Sequence, residues 1–155
     1  MKKVGLTIFL VLLVLSCNHH EVYEQFTAID GKTWNNADLI QFNVNIEDTV
    51  TAHDVLIAVR NTGQYEYSNL YLFITAVAPD GTQTRDTTEI ILADEHGKWL
   101  GRGSASVYTF FHPFRQNIRF PQRGIYQFYI EQAMWINDLK HITDIGLRVQ
   151  KADNK

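Results

Sequence analysis

The chain is poor in the features that cross-link a protein, carry it through a membrane or attach it to nucleic acid. A single cysteine among 155 residues excludes an internal disulfide, so stability must come from packing. Beyond the N-terminal segment, no apolar run approaches the roughly 18 residues of a membrane-spanning helix. The formal net charge is −3, and no dense cluster of lysine and arginine offers binding to phosphates. Nucleic acid is therefore not an expected partner.

The position of the single cysteine predicts lipidation. Lys2 and Lys3 precede an apolar run over residues 4–15, which is too short to span a bilayer, and small Ser16 then stands directly before Cys17. This order is typical of a bacterial lipoprotein signal, in which the thiol is acylated and the chain is cut between Ser16 and Cys17. We expect the acyl chains to anchor the protein, since each buried methylene contributes about 0.8 kcal/mol. A plain secretory signal is the alternative.

The remaining chain is long enough for one domain. We expect a signal peptide over residues 1–16, a lipidated tether over 17–24, a single domain over 25–150 and a polar tail over 151–155. Cleavage would leave 12 basic and 17 acidic side chains. A body of this size can bury a sizeable core.

The hydrophobic pattern predicts an all-β fold. Phe42, Val44 and Ile46 alternate with asparagines, which indicates a strand with one buried face. Residues 70–77 are apolar on both faces, as in a central strand, and a Pro-Asp-Gly turn over residues 79–81 leads to a partner strand over 87–92. We predict further strands over residues 54–60, 104–111, 118–120 and 145–149. Residues 132–141 are interpreted as a loop or a single turn.

Seven to nine short strands at this spacing favour a single antiparallel β-sandwich. Gly124-Ile125-Tyr126 resembles the tyrosine corner of Greek-key sandwiches. The pattern leaves immunoglobulin-like and jelly-roll-like connectivity equally open.

No set of residues predicts catalysis, a metal site or a cofactor. The six histidines lack the strand or helix spacing of zinc ligands, and no Gly-x-Ser-x-Gly elbow is present. The acidic pairs Glu47-Asp48 and Asp94-Glu95 stand in predicted turns, where solvated caps are the simpler interpretation. We therefore expect no enzyme.

Aromatic and basic residues in predicted loops are the candidates for binding. The aromatic residues are Trp34, Trp99, Trp135, Tyr65 and Tyr67. They either cap the ends of the core or stack on sugars or protein partners. A loose basic band comprises Arg102, Arg115, Arg119 and Arg123. It suits an acidic partner or a lipid head group if it shares one face, and a scattered distribution is the alternative.

The glycine-rich segment over residues 94–103 has two interpretations. As a structural hairpin, it needs a positive φ at Gly97, while Gly101 and Gly103 allow close backbone approach. As a docking loop, it presents Trp99 and Arg102 to a partner.

The order of several segments carries a family resemblance that extends from Cys17 to about Val149. The most specific segment is residues 92–103, Leu-Ala-Asp-Glu-His-Gly-Lys-Trp-Leu-Gly-Arg-Gly. The others are Val22-Tyr23, Trp34 and residues 59–61, 65–70, 79–81, 86–87, 120–126, 131–134 and 142–148. Together they resemble the GldH family of gliding motility lipoproteins of the Bacteroidetes. At Trp135 the resemblance leads us to expect arginine instead.

The resemblance implies a non-enzymatic envelope lipoprotein associated with the gliding apparatus and the linked type IX secretion machinery. It supplies no catalytic residues. Asn18, in place of aspartate, at the second position after the predicted cut disfavours retention in the inner membrane, and no acidic run directly after Cys17 suggests export to the cell surface. We therefore expect an outer-membrane location that faces the periplasm. A carbohydrate-binding lipoprotein, with polysaccharide as its ligand, is the alternative function.

Overall fold

The computed structural model describes residues 20–104 and 106–153, and Ser104 only by its backbone. The predicted cleavage and lipidation residues, Ser16 and Cys17, lie outside this part. The strands are β1 (Glu21–Ala28), β2 (Thr33–Asn35), β3 (Ile40–Ile46), β4 (His53–Thr62), β5 (Asn69–Val77), β6 (Gln83–Ile91), β7 (Arg102–Ser104), β8 (Val107–Ile118), β9 (Gly124–Gln132), β10 (Asp138–Lys140) and β11 (Ile142–Lys151). A 3-10 turn covers Asp30–Lys32. In these ranges no helix has the length and apolar character to cross a membrane.

The strands form an antiparallel β-sandwich, which confirms the predicted fold class. One sheet has the order β1-β11-β4-β8-β7, the other has the order β3-β9-β5-β6, and β10 pairs with β2 in a small ribbon. Among the described strands, only β5–β6 and β7–β8 are sheet neighbours that are also consecutive along the chain. Of the other connections, four cross directly between the two large sheets and four lead to or from the ribbon, so the two sheets are held together by the chain as well as by packing.

Alternating side chains from both sheets fill the space between them. Along β3 the residues at even positions are buried and those at odd positions are exposed, as the sequence predicts. β5 is an inner strand of its sheet, also as predicted. The core continues through Val55, Ile57 and Val59 of β4, Phe128 and Ile130 of β9, and Ile145, Leu147 and Val149 of β11. Each fully buried side chain of this kind contributes about 1.5–3 kcal/mol.

Two boundaries differ from the sequence prediction. The tether was expected to extend to residue 24, but β1 begins at Glu21 because its backbone pairs with β11. The tail was expected from residue 151, but Lys151 still pairs with His53 of β4. Both differences have the same cause. Polar side chains led us to predict irregular structure at these two ends, but the backbone hydrogen bonds between strands form whatever the side chains are.

β8 is longer than its sequence suggests. It runs through Pro113 to Ile118, whereas we expected one strand to end near Pro113 and a separate one over residues 118–120. The pairing with β4 shifts register between Leu56 and Val55, opposite Pro113 and Arg115. β7 pairs only with residues 107–109 of β8, so Pro113 lies where β8 has no second neighbour. At such an edge a proline is tolerated because its missing N–H removes no ladder bond.

Two predicted local structures are confirmed. The hydroxyl of Tyr126 accepts a hydrogen bond from the backbone N–H of Gln122 and donates one to its carbonyl, both at 3.2 Å, which is the geometry of a tyrosine corner. Between β5 and β6, Gly81 has φ 86°, and the Asp80 carboxylate accepts a hydrogen bond from the Thr82 N–H.

The antiparallel strands place the loops of the sandwich at two opposite ends. β1 begins at what we call the proximal end, together with the loops over residues 47–52, 78–82 and 119–123. The loops over residues 63–68, 92–101 and 133–141 lie at the other end, the distal end. A ten-residue strand such as β4 spans roughly 33 Å, at about 3.3 Å per residue.

Candidate functional site

The distal end carries a cluster of aromatic rings. Tyr65 contacts Tyr67 and Trp99, with ring centroids 5.6 and 6.3 Å apart. Trp99 in turn lies 5.9 Å from Tyr108. Three of the five aromatic residues chosen from the sequence are thus brought together. The sequence analysis did not select Tyr108, because it lies within a predicted strand and only aromatic residues in predicted loops were considered for binding.

Tyr65 is the buried centre of this cluster. Its hydroxyl donates a hydrogen bond to the carbonyl of Asn69 at 2.9 Å, and its backbone N–H bonds to the carbonyl of Thr62. Desolvation, reinforced by the neighbouring Tyr67, raises the pKa of Tyr65 well above its usual range. The side chain therefore stays neutral and acts as a structural support for the rings around it.

A short hairpin positions Trp99. Ala93 and Trp99 form an isolated β-bridge, and the Asp94 carboxylate accepts hydrogen bonds from the backbone N–H groups of His96 and Lys98 at 3.0 and 2.9 Å. Gly97 has φ 76°, which confirms the positive φ expected in this turn. Such a backbone conformation favours glycine, because a Cβ there is strained.

Gly101 and Gly103 hold the following segment close to β8. A Cβ on Gly101 would lie 3.0 Å from the backbone of Thr109, and one on Gly103 would overlap the carbonyl oxygen of Val107. The backbone at Gly101 and Gly103 therefore approaches strand β8 closely, as predicted for these glycines. It draws the segment after Trp99 onto β8 and so brings the indole against Tyr108.

Among the described residues, Trp135 is the most exposed large hydrophobic side chain at this end. Its relative exposure is 103%, and it stands in the loop after β9. Gln132, only 2% exposed, holds that loop: its amide nitrogen donates to the carbonyls of Ile136 and Asn137 at 2.9 and 3.2 Å, and its amide oxygen accepts from the Met134 N–H at 2.8 Å. Gln132 is a supporting residue that the sequence pattern did not reveal.

The structure separates Arg102 from Trp99. Arg102 pairs with Thr109 and, with Phe111 and Arg148, lines a shallow pocket of about 500 Å³ on the outer side of the five-stranded sheet. Tyr108 pairs with Gly103 one position further along, so its side chain points to the opposite face of the sheet. The fold therefore does not present Trp99 and Arg102 together on a single loop, as the docking-loop interpretation expected.

The predicted basic band is scattered over the molecule. Arg115 forms an ion pair with Asp86, and the Arg119 side chain donates to the carbonyl of Val50 at the proximal end. Arg102 lies near the distal end, a strand length away from Arg119. The four arginines therefore do not form one binding face.

Trp34 was expected in a loop but belongs to the core. It stands in β2, its side chain is fully buried, and its indole N–H donates to the carbonyl of Asp38 at 2.9 Å. The pairing of β2 with β10, which places Leu139 opposite Trp34, closes the distal end beneath the exposed loops. Trp34 is thus a capping residue and takes no part in the candidate surface.

Acidic and histidine side chains do not converge at this site. Over residues 20–104 and 106–153, no three His, Cys, Asp or Glu side chains come close enough to hold a metal ion together. We therefore define the candidate surface of the distal end as the exposed Trp135 together with the partly exposed Tyr67 and Trp99. Its chemistry is that of stacking and apolar contact.

The fold and this surface define a class of β-sandwich domains that carry an aromatic surface on the loops of one end. Comparison with known sequences is more specific: residues 21–149 match the family described as GldH lipoprotein. The chain belongs to this family of lipoproteins, which is linked to gliding motility, and it is accordingly a lipid-anchored protein of the cell envelope.

Two relatives match over nearly the full length. The "Gliding motility lipoprotein GldH homolog" of Christiangramia forsetii is 33% identical, over 98% of this chain and 97% of the relative. The "Gliding motility lipoprotein GldH" of Flavobacterium johnsoniae is 23% identical, over 98% of each chain.

Two solved structures show a distant similarity. The VP2 subviral particle of infectious bursal disease virus gives a TM-score of 0.35 at 15% identity, over 86% of this chain and 31% of that chain. The Drosophila NLP core gives 0.25 at 12% identity, over 86% of this chain and all of that one. Scores this low support no conclusion about function.

Proposed function

We propose that this lipoprotein is a non-enzymatic accessory component that assists assembly of the gliding motility and type IX secretion machinery. It would act from the periplasmic side of the outer membrane and bind machinery subunits through its distal end. The observation that carries the proposal is the placement of the exposed Trp135 at the end of the sandwich opposite to the start of β1.

The distance between anchor and surface supports this arrangement. β1 begins at Glu21, four residues after the predicted lipidation at Cys17. Four extended residues reach at most about 14 Å, so the proximal end would stay close to the bilayer. The distal end would stand roughly another 33 Å away, which leaves Trp135 clear of the lipid and accessible to partner proteins.

The exposure of Trp135 and the order of its loop fit a role in protein binding. Tryptophan is enriched among the few interface residues whose truncation costs 2 kcal/mol or more. Its loop is already ordered by the three hydrogen bonds of Gln132, so little conformational entropy is lost on binding. The lipid anchor would add to this by confining the protein to the surface where its partners assemble.

The test is proximity cross-linking in cells that carry the full-length protein. We expect Trp135→Ala to reduce cross-links to gliding or type IX secretion subunits at least tenfold and to impair colony spreading and secretion. Val50→Ala is the matched control, because Val50 is an exposed apolar side chain (79%) at the proximal end. Unchanged cross-links and spreading in Trp135→Ala, or recovery of no machinery subunit by the parent protein, would contradict the proposal.

Binding of polysaccharide is the second candidate function, and the exposed indole of Trp135 favours it because flat aromatic faces stack on sugar rings. The rings of Tyr65, Tyr67 and Trp99 contact one another, so Trp135 would supply most of the free stacking surface. Titration of full-length protein with envelope polysaccharides distinguishes the two functions. Saturable binding that Trp135→Ala abolishes would support the carbohydrate function, and no response to any glycan would exclude it.

A further inference from the structure

Three of the four edge strands of the sandwich are protected against pairing with another chain. β7 has only three residues. β1 has an irregular register between Glu21 and Tyr23, and its Glu24 forms an ion pair with Arg148. β6 carries charged side chains, including Arg85, which pairs with Glu131. Short length, irregular register and charge are the usual means by which proteins keep sheet edges from associating.

β3 is the exception among these edges. It pairs only with β9, in an unbroken register over seven residues. Its exposed side chains are the uncharged amides of Gln41, Asn43 and Asn45, and it contains no proline, lysine or bulge. One side of its backbone therefore presents a row of N–H and C=O groups that can receive a further strand.

A groove runs beside this edge. It has a volume of about 440 Å³ and is lined by Asn43, Asn45 and Ile46 on one side and by Val22 and Tyr23 of β1 on the other, with Glu47, Asp48 and His53 at the proximal end. Its lining thus combines apolar and polar groups, which suits a strand that directs successive side chains to opposite sides.

His53 provides a second, independent indication of an occupant. Its side chain is 1% exposed, its ring packs against Phe120 with centroids 5.5 Å apart, and it forms part of the groove wall. Among the described residues, its Nδ1 atom is the buried side-chain nitrogen or oxygen without a hydrogen-bond partner. Buried polar atoms normally have partners, so an unpartnered one needs an explanation, which a bound group would supply.

We propose that the β3 edge accepts an extended, basic segment of a partner protein, which adds to the four-stranded sheet as a fifth strand. Main-chain hydrogen bonds would supply affinity, and Glu47 and Asp48 would select lysine or arginine in the segment. Hydrogen bonds from the Thr51 hydroxyl and from the backbone N–H groups of Thr51 and Val50 hold the pKa of Asp48 well below its usual range, so the groove keeps its negative charge.

A second copy of this chain does not fit the same edge. Antiparallel pairing of two β3 strands would put the two proximal ends, and with them the two lipid anchors, at opposite ends of the pair. Both anchors could not then enter one membrane. Parallel pairing would bring Glu47 and Asp48 of both copies side by side, where like charges repel. The occupant is therefore a segment of another protein.

The test uses the full-length lipidated protein in detergent and a displayed library of random nine-residue peptides. We expect enriched peptides to be positively charged and to alternate in hydrophobicity. A synthetic copy of the best binder should protect the backbone amides of residues 40–46 from hydrogen exchange. Its affinity should fall at least tenfold in the double variant Asn45→Lys, Glu47→Lys.

The matched control is Thr87→Lys, Glu89→Lys, which makes the same charge change on exposed positions of β6 at the other edge of this sheet. It should leave peptide affinity unchanged, and so should Trp135→Ala, which separates this surface from the distal one. The proposal is overturned if no peptide distinguishes the two double variants, if enriched peptides are acidic, if protection appears away from β3, or if the protein pairs with itself through β3.

Discussion

The aromatic ring of Phe26 lies directly over Gly146 on the neighbouring strand β11. A Cβ at Gly146 would come within 2.7 Å of a ring carbon of Phe26. The same ring makes an edge contact with Phe111, with centroids 6.2 Å apart. The guanidinium of Arg60 lies 3.8 Å from its centroid, and that of Arg148 lies 4.0 Å from the ring of Phe111. The outer face of the five-stranded sheet is thus covered by alternating arginine and phenylalanine side chains.

Gly146→Ala should destabilise the protein by about 1–3 kcal/mol, because the added methyl group displaces Phe26 and its cation–π contact. Urea denaturation measures the change in the free energy of unfolding. Gly63→Ala is the control, since a Cβ there meets only the Tyr108 ring at an ordinary 3.7 Å. Equal stability of the two variants would show that the Phe26 ring moves aside without loss.

Gln132→Ala should release the loop that carries Trp135. The substitution leaves the Ile136 and Asn137 carbonyls and the Met134 N–H without their present partner, and we expect a loss of about 1–3 kcal/mol. Hydrogen exchange of residues 133–137 should accelerate while that of β5 stays unchanged. Gln122→Ala, which removes a side-chain bond to Asp80 at the other end, should leave exchange in residues 133–137 as in the parent.

Asp48 should contribute to stability at neutral pH and lose that contribution in acid. Hydrogen bonds from Thr51 and Val50 lower the pKa of Asp48 in the folded state, whereas an unfolded aspartate titrates near about 3.9. The stabilisation is therefore complete above the unfolded pKa and disappears as the pH falls through the folded one. Asp48→Asn should lower the melting temperature at pH 7, and the difference from the parent should shrink steadily as the pH falls below the unfolded pKa towards pH 2.

Glu47→Gln is the control for this pH dependence, because Glu47 is the neighbouring exposed carboxylate without the backbone hydrogen bonds of Asp48. Its melting temperature should follow the parent curve at every pH. A constant difference between Asp48→Asn and the parent from pH 7 to pH 2 would rule out ionisation of Asp48 as the cause.

The sequence was sufficient for the sandwich because period-two alternation in β3 and β11 directly reports one buried face. It was insufficient where pairing, not side-chain pattern, decides the structure. β1 begins among polar residues because β11 offers it a partner, and β8 passes through Pro113 because no strand occupies its outer side there.

The candidate site was predictable only in part, for a related reason. Loop aromatics were recognisable, but which of them are buried depends on contacts between distant segments. Trp34 is covered by the β2–β10 ribbon, while Trp135 remains exposed. The Gln132 side chain donates hydrogen bonds to the backbone carbonyls of the residues four and five positions later. A glutamine at the end of a predicted strand does not by itself indicate that it holds the following loop. The groove beside β3 depends on which strand edges stay unpaired, which a single sequence does not specify.

His53→Leu should stabilise the protein. The substitution removes the buried, unpartnered Nδ1 atom and keeps apolar contact with Phe120, so we expect a gain of about 1 kcal/mol in the free energy of unfolding. His112→Leu is the matched control: the His112 ring lies 3.3 Å from the Thr88 hydroxyl, so its removal forfeits a hydrogen bond and should bring no gain. Chemical denaturation of both variants measures the difference.

The same variant links stability to the groove beside β3. If Nδ1 of His53 is left without a partner because a bound segment supplies one, His53→Leu should bind the selected basic peptide more weakly while the free protein becomes more stable. A gain in stability with unchanged peptide affinity would show that His53 forms only part of the wall. A loss of stability would show that the imidazole already has a favourable environment, and it would remove the second observation on which the β3 proposal rests.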